Sequence, residues 1–202
     1  QRRMWAGGEV TFLAPIETGD QVVRRSRIAD VAHKSGRTGE LVFVTVEHEL
    51  STTRGVAIRE RQDLVYREAA DGQAAPIPAP SPVRIAEFSE TVACDSVMLF
   101  RYSALTFNGH RIHYDRAYAA NVEHYAGLVV HGPLQATCLM NFAARLDAER
   151  RLHKVTYRGV SPLVDSSFTL NASRAASGFD LWTTDGESRQ SMIMSVAFQD
   201  RL

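Results

Sequence analysis

The chain has 202 residues, of which 45% are hydrophobic and 23% charged, so it is long enough for one globular domain or two small ones. Its 23 basic and 23 acidic side chains balance, which argues against nucleic-acid binding and against a polybasic membrane surface. No apolar run approaches the roughly 18 residues of a transmembrane helix, and the two cysteines, Cys94 and Cys138, lack metal-site spacing and are too few for a disulfide scaffold.

The beginning of the chain shows neither an initiator methionine at position 1 nor a signal-peptide pattern. We interpret residues 1–8 as lying within a longer chain. The low cysteine content favours a reducing compartment, which is the cytoplasm or an organelle with reducing conditions.

Strand patterns fill the first third of the chain. Residues 40–50 alternate between apolar and charged side chains, the period of a half-buried strand. Residues 21–31 and 55–66 also read as strands, and the glycine-containing residues 35–39 form a turn between the first two strands. Three long neighbouring strands predict an antiparallel meander.

A proline-rich segment separates the two parts of the chain. In residues 69–82, prolines alternate with small residues, which excludes a helix or a central strand and favours an extended linker. We therefore expect an N-terminal domain over residues 1–70, a linker over residues 71–84 and a C-terminal domain over residues 85–202.

The second part of the chain begins with helical patterns. Asp95 is placed to cap a short helix, a loop follows over residues 108–113, and residues 115–121 form another helical turn. Pro133 suits the first turn of a helix whose apolar stripe continues to about Arg151. The remaining expected elements are strands over 153–160, 166–174, 179–184 and 190–198, and a hairpin turn at Asp185 and Gly186.

A weak internal repeat supports two copies of one unit. The run Val10-Thr11-Phe12 is followed by Asp20, and Val155-Thr156-Tyr157 is followed at the same spacing by Asp165, although a chance match is an alternative. A long helix before an antiparallel meander is the hot-dog layout, in which one sheet face buries one apolar helix. We therefore predict an α+β double hot-dog whose N-terminal half lacks its helix in this chain.

Three residues could together act on an acyl thioester. His113 has a near-neutral reference pKa and could serve as a general base, or it could be a structural histidine. The amide of Asn108 could hold water, or the Asn-Gly pair could form only a turn. Gly132 precedes Pro133, so its N–H could stabilise an oxyanion at the positive end of the helix dipole, or the glycine could serve only a tight helix entry.

Four histidines lie close together in the sequence: His110, His113, His124 and His131. A zinc site would need these ligands to converge from a loop, a helix and a strand end, and neither a cysteine nor a carboxylate pair completes the set. We therefore expect no metal, and we interpret His124 and His131 as structural or pocket-lining residues.

Two motifs resemble those of the MaoC-like hydratase/dehydratase family. They are residues 108–115 and residues 127–134, and the likeness is closer to the branch that has an N-terminal dehydratase-like half. Residues 2–8 and 35–44 are also similar to that branch, so the resemblance covers nearly the whole chain. The wider family has Asp, four residues and then His, whereas this chain has Asn108 before His113, as the closer branch does. An amide can orient water but cannot shuttle a proton, so this departure leaves the two-group acid–base scheme open.

The resemblance implies reversible hydration of a short enoyl-CoA, branched or dicarboxylic and of the itaconyl-CoA or mesaconyl-CoA type, to the 3-hydroxyacyl-CoA. The expected site residues are His113 and Asn108 for catalysis, Gly132, His131 and Val130 for the oxyanion or substrate, and Arg2 and Arg3 for coenzyme A or a substrate carboxylate. We expect no cofactor, because coenzyme A is part of the substrate, and we expect a homodimer or higher homo-oligomer.

Other functions fit the same motifs. Within the same class, the chain could dehydrate 3-hydroxyacyl chains on acyl carrier protein during fatty-acid synthesis. A hot-dog thioesterase would need a carboxylate near the thioester, for which Asp115 is the candidate. A non-catalytic acyl-binding module would tolerate the loss of His113.

Overall fold

The computed structural model describes residues 2–36, 39–67, 84–164 and 167–200. The first part contains strands β1 (Arg2–Phe12), β2 (Val23–Gly36), β3 (Gly39–Thr52) and β4 (Gly55–Arg67). After them come β5 (Phe88–Val92), α1 (Ser96–Leu105), a 3₁₀ turn (Arg111–His113), α2 (Arg116–Asn121) and α3 (Gly132–Leu146). The last strands are β6 (Arg151–Gly159), β7 (Phe168–Ala175), β8 (Gly178–Thr184) and β9 (Gln190–Gln199).

All the strands pair in one antiparallel sheet in the order β2-β3-β4-β1-β6-β9-β8-β7-β5. Strand β1 joins the two halves, because it pairs with β4 on one side and with β6 on the other. Val10 of the first repeat copy lies opposite Val155 of the second. The repeated motifs are therefore neighbours across the centre of the sheet, although Asp165 lies outside the described residues.

Helix α3 lies against β6 to β9 and buries its apolar stripe there. The buried side chains of this core include Leu134, Leu139, Phe142 and Ala143 from α3 and Val155, Leu181, Met194 and Val196 from the strands. Spacing of three and four residues places the helical members on one face, and each large side chain contributes roughly 2 kcal/mol of transfer free energy. This arrangement of one sheet face around one helix is the hot-dog fold that the sequence predicts.

The prediction that the long helix continues to about Arg151 is wrong, because α3 ends at Leu146. Asp147 leaves the helical conformation with φ −136° and ψ 80°. Its carboxylate accepts hydrogen bonds from the backbone N–H of Arg150 at 3.1 Å and from the Arg150 guanidinium at 2.6 Å. This local turn sends the chain directly into β6, so Leu152 belongs to a strand and not to the helical stripe.

The sequence patterns did not indicate β1 as an 11-residue strand, because Gly7 and Gly8 lower its strand propensity. A Cβ added to Gly8 would lie 2.2 Å from the Arg61 carbonyl oxygen and 2.5 Å from the Tyr157 hydroxyl. Glycine is therefore required there, because these two groups occupy the space that a side chain would need. Strand β5 was also not predicted from the sequence.

Within residues 2–36 and 39–67 the structure describes strands and no helix. On β2, Ile28 and Val31 expose 65% and 59% of their surfaces. Residues 71–83 of the predicted linker lie outside the described residues, so the proposed domain boundaries stay predictions. In the part of the chain that the structure describes, no helix is long and apolar enough to cross a bilayer.

Candidate active site

The loop after α1 is fixed by its own polar groups. The backbone N–H of Asn108 donates to the Ser103 carbonyl oxygen at 2.9 Å, and the Asn108 Oδ1 accepts from the N–H of His110 at 3.1 Å. Phe107 between them has φ 52°, in the left-handed region that bulky residues rarely adopt. The side-chain carbonyl oxygen of Asn108 therefore holds the turn, and the side-chain NH₂ group is the part that can bind a ligand.

His113 is buried at the end of this loop with one ring nitrogen fixed. Its Nδ1 lies 2.7 Å from the carbonyl oxygen of Val129, and the N–H of Val129 donates to the Ile112 carbonyl oxygen at 2.9 Å. Because a carbonyl oxygen only accepts, Nδ1 must carry the proton, so the neutral ring has its lone pair on Nε2. Nε2 is thus the atom that can take a proton.

His131 lies directly behind this ring. The imidazoles of His113 and His131 stack with their centroids 3.7 Å apart and an angle of 16° between the planes. The Nε2 of His131 lies 2.8 Å from the Ser103 hydroxyl, and His131 has no exposed surface. The structure therefore places the His131 ring against His113, as a structural role would require, and its contact with the substrate stays a prediction.

Burial lowers the pKa of both stacked histidines. The pKa of His113 falls to about 4, although the bond to Val129 opposes the shift. The pKa of His131 falls to about 3, through burial first and then through the neighbouring His113 and His110. The near-neutral pKa expected for His113 is thus replaced by a lower one, and both rings are neutral at pH 7.

A buried carboxylate lies beyond His110. The His110 ring stands edge-on to His113 with centroids 5.6 Å apart, and its Nε2 lies 3.5 Å from Glu123 Oε1. The Tyr118 hydroxyl donates to the same oxygen at 3.4 Å. Asp115, the carboxylate considered from the sequence, instead caps α2 through the N–H of Tyr118 and pairs with Arg111 at 2.6 Å. The sequence did not indicate Glu123, because only the folded loop brings it to His110.

The N-terminus of α3 lies next to the stacked rings, because His131 is the residue that precedes the helix. The first intrahelical bond joins the N–H of Gln135 to the His131 carbonyl oxygen at 3.2 Å, so no helical carbonyl claims the N–H of Gly132. Val130 cannot supply a second donor, because its N–H already donates to the Leu163 carbonyl oxygen at 2.8 Å. The N–H of Gly132 is therefore available to an oxyanion at this helix end.

Strand β1 packs against the first residue of α3 through Trp5. A Cβ built on Gly132 would lie 2.9 Å from Cε3 of Trp5. The Trp5 indole stacks on Tyr157 at 4.3 Å between centroids with an interplanar angle of 17°. Both halves of the double fold therefore contribute to the site, and no local sequence signal indicates the contact of Trp5 with Gly132.

Comparison with known proteins places this site in a family. The family described as hydroxyacyl-thioester dehydratase type 2 matches residues 1–165. The chain belongs to this family. A mesaconyl-C(4)-CoA hydratase of Chloroflexus aurantiacus is 45% identical over 168 residues, which are 81% of this chain and 58% of that protein. The mitochondrial type 2 hydroxyacyl-thioester dehydratase of Schizosaccharomyces pombe is 37% identical over 68 residues, covering 33% of this chain and 23% of that one. The chain thus spans 58% of the length of the first of these relatives.

Solved structures of low identity confirm the fold. HtdX of Mycobacterium tuberculosis superposes with a TM-score of 0.74 and 19% identity, covering 96% of this chain and 76% of that one. A second M. tuberculosis protein, described as having a double hotdog fold, gives a TM-score of 0.64 and 12% identity, covering 98% of this chain and 75% of that one. A MaoC-like dehydratase of Phytophthora capsici has a TM-score of 0.73 and 13% identity, covering 99% of this chain and 72% of that one. These structures confirm the predicted double hot-dog fold, while the family match and the 45% identity above confirm the branch that the sequence resembles.

Three further residues that the sequence singled out lie outside the loop and the helix start described above. Arg2 and Arg3 begin β1 opposite Arg67 and Tyr66, two or three residues before Trp5, so their role toward coenzyme A stays a prediction. His124 is exposed with φ 60°. Among the described residues, no cluster of three or more His, Cys, Asp or Glu side chains could hold a metal ion.

Proposed function

We propose that this chain catalyses the reversible hydration of the double bond of a short enoyl-CoA, of the mesaconyl-CoA or itaconyl-CoA type. The observation that carries the proposal is the neutral His113, whose free Nε2 lies in one loop with Asn108 and beside the N-terminus of α3. Family membership and the 45% identity to a mesaconyl-C(4)-CoA hydratase support the reaction and the acyl type.

In the proposed reaction, the N–H of Gly132 polarises the thioester carbonyl at the positive end of α3. The NH₂ group of Asn108 orients a water molecule, and Nε2 of His113 takes its proton. The water oxygen bonds to C3, and the double-bond electrons move through C2 to give an enolate. The proton on His113 then passes to C2, which yields the 3-hydroxyacyl thioester and restores the neutral histidine. Dehydration follows the same steps in reverse.

The acyl group could be carried by coenzyme A or by acyl carrier protein. A 3-hydroxyacyl group on acyl carrier protein would undergo the same chemistry, and the family description names the hydroxyacyl thioester without its carrier. Hydrolysis of the thioester is less well supported, because the carboxylate considered for it, Asp115, caps α2 and pairs with Arg111. We also propose that no cofactor takes part and that the protein forms a homo-oligomer in the bacterial cytoplasm or the mitochondrial matrix.

A panel of enoyl-CoA and enoyl-acyl-carrier-protein thioesters tests the proposal. Hydration predicts that enoyl absorbance falls while free thiol stays constant, with mesaconyl-type CoA esters among the substrates. Release of thiol would identify a thioesterase, and binding without turnover would identify an acyl-binding module. Either of these results would overturn the proposed function.

A further inference from the structure

We propose that Ser103 is a positioning residue of this site, which sets His113 through its hydroxyl group and Asn108 through its carbonyl oxygen. The inference rests on the proposed function, since it assigns a role in that reaction. Ser103 lies in the last turns of α1, within a different element from either residue that it would position. The Ser103 hydroxyl bonds to His131, which stacks on His113, and the Ser103 carbonyl oxygen bonds to Asn108.

The hydroxyl interaction runs through His131. Ser103 exposes 6% of its surface and His131 none, and their Oγ and Nε2 atoms lie 2.8 Å apart. The other ring nitrogen, Nδ1 of His131, is buried without a hydrogen-bond partner in the described part of the chain. The Ser103 hydroxyl is therefore the group that fixes the rotation of the His131 ring about its side-chain bonds.

The direction of this hydrogen bond follows from counting polar groups. If His131 Nε2 donated to Ser103, both the serine proton and the Nδ1 lone pair would be left without partners. If Ser103 donates instead, only the Nδ1–H of His131 is left. The second arrangement leaves fewer buried groups unsatisfied, so the structure assigns Ser103 as the donor and Nδ1 as the protonated nitrogen of His131.

The plane of His131 in turn sets the plane of His113. The two rings are nearly parallel at a centroid distance of 3.7 Å, so a tilt of one would require the other to move. Tyr102, the neighbour of Ser103 on α1, closes the other side of His131 edge-on at 4.9 Å. With its Nδ1 bound to Val129, His113 then has one orientation for Nε2.

The carbonyl interaction is direct. The Ser103 carbonyl oxygen accepts the N–H of Asn108 at 2.9 Å, and Asn108 then holds the N–H of His110 through Oδ1. The turn from Ser103 to His113 is therefore connected at both ends to the same serine. Because a misplacement of about 1 Å can cost ~10²-fold in rate, this residue controls turnover without touching the substrate.

Ser103→Ala tests the hydroxyl interaction against a matched control. Ser195→Ala removes a serine hydrogen bond of similar length, 2.7 Å to Asp180, at an exposed position of β9. We expect Ser103→Ala to lower kcat by ~10-fold or more with KM changed less than about twofold, and Ser195→Ala to leave both constants unchanged. Ser103→Thr, which keeps the hydroxyl, should recover part of kcat. A merely structural serine would lower the melting temperature and leave kcat intact, which would overturn the proposal.

Two further measurements keep the test decisive. Ring nitrogen NMR shifts of His131 should show a protonated Nδ1 in the unmodified protein and a change in Ser103→Ala, with a smaller change at His113. Unchanged shifts at both rings would contradict the proposal whether or not a substrate is known, whereas absence of turnover in the unmodified protein would count against the proposed function alone. If Ser103→Ala does not fold, His131→Phe removes the same bond while keeping a ring on His113, and an unchanged kcat there would also refute the assignment.

Discussion

At the scale of single residues, the protonation state of His113 determines what the site can do. Burial lowers its pKa from 6.5 to about 4, so His113, as the proposed general base, is fully available at neutral pH but weak. The pKa of an optimal general base lies closer to the working pH. The low basicity of His113 is offset because Nε2 is unprotonated at every physiological pH.

This pKa predicts the pH dependence of the reaction. Protonation of His113 removes the base, so kcat/KM should fall only as the pH approaches about 4 and should be flat from pH 6 to pH 8. The measurement is the initial rate of hydration from about pH 4 to pH 8, at substrate concentrations well below KM. An acid limb with a midpoint near 6.5 would show that the ring is not desolvated as described.

Asn108 offers a test of how water is held. Asn108→Ala should lower kcat by ~10-fold or more, because it removes the amide that orients water and the acceptor for the N–H of His110. Asn108→Asp keeps the acceptor and restores the residue of the wider family, so it should retain the fold and more activity than Asn108→Ala. Steady-state kinetics of both variants check this order, and equal activities would contradict it.

At the scale of elements, the sequence determined the helix boundaries where a local signal existed. Asp95 caps α1 as predicted, accepting from the N–H of Met98 at 2.8 Å, and Pro133 lies in the first turn of α3. Asp115 caps α2 through the N–H of Tyr118 at 3.0 Å, a role that the sequence analysis did not assign to it. The end of α3 was misjudged, because the side-chain turn at Asp147 competes with a favourable apolar stripe. The local sequence pattern therefore predicted where helices begin better than where they end.

The contacts that assemble the site were beyond sequence reasoning. Ser103 and His131 lie 28 positions apart, and their bond depends on how α1 meets α3. Trp5 reaches Gly132 from the other half of the sheet. His113, Asn108 and Gly132 were predicted because each lies in one of two short local motifs, residues 108–115 and 127–134, whereas the supporting residues meet only through tertiary structure.

Gly132→Ala tests the contact between β1 and α3. The added methyl group would lie 2.9 Å from Trp5, where crowding typically costs about 1–3 kcal/mol of stability. We expect the free energy of unfolding to fall by this amount and turnover to fall with it. Gly186→Ala is the control, because a Cβ there meets no atom within 4 Å. Combining Gly132→Ala with Trp5→Leu should recover part of the loss in a urea titration, and strictly additive losses would count against the contact.

At the scale of the whole molecule, β1 makes one sheet of two halves and brings Trp5 to the helix start. The same architecture buries two uncharged histidines at the junction. Their burial links the stability of the entire fold to pH. The fold as a whole was predictable from the helix-plus-meander pattern, but this linkage was not.

Stability should decrease in a defined pH window. Above pH 6.5 both histidines are neutral in the folded and the unfolded chain, so they add no pH dependence. Between pH 6.5 and about 4 the unfolded chain binds protons that His113 in the folded chain does not, which lowers the free energy of unfolding by up to about 3 kcal/mol from this residue. Urea denaturation at pH 7 and pH 5 measures the effect. His131→Phe should show a smaller decrease, and an identical decrease would argue against a buried neutral His131.

The central claim is that this chain hydrates enoyl thioesters with His113 as the base. The most direct measurement is the initial rate of loss of enoyl absorbance for a mesaconyl-type CoA ester, with the unmodified protein, His113→Ala and the exposed-residue control His124→Ala. The account predicts that His113→Ala is slower by ~10² or more with an intact circular dichroism spectrum, while His124→Ala is unchanged. Near-normal turnover by a folded His113→Ala variant would contradict it.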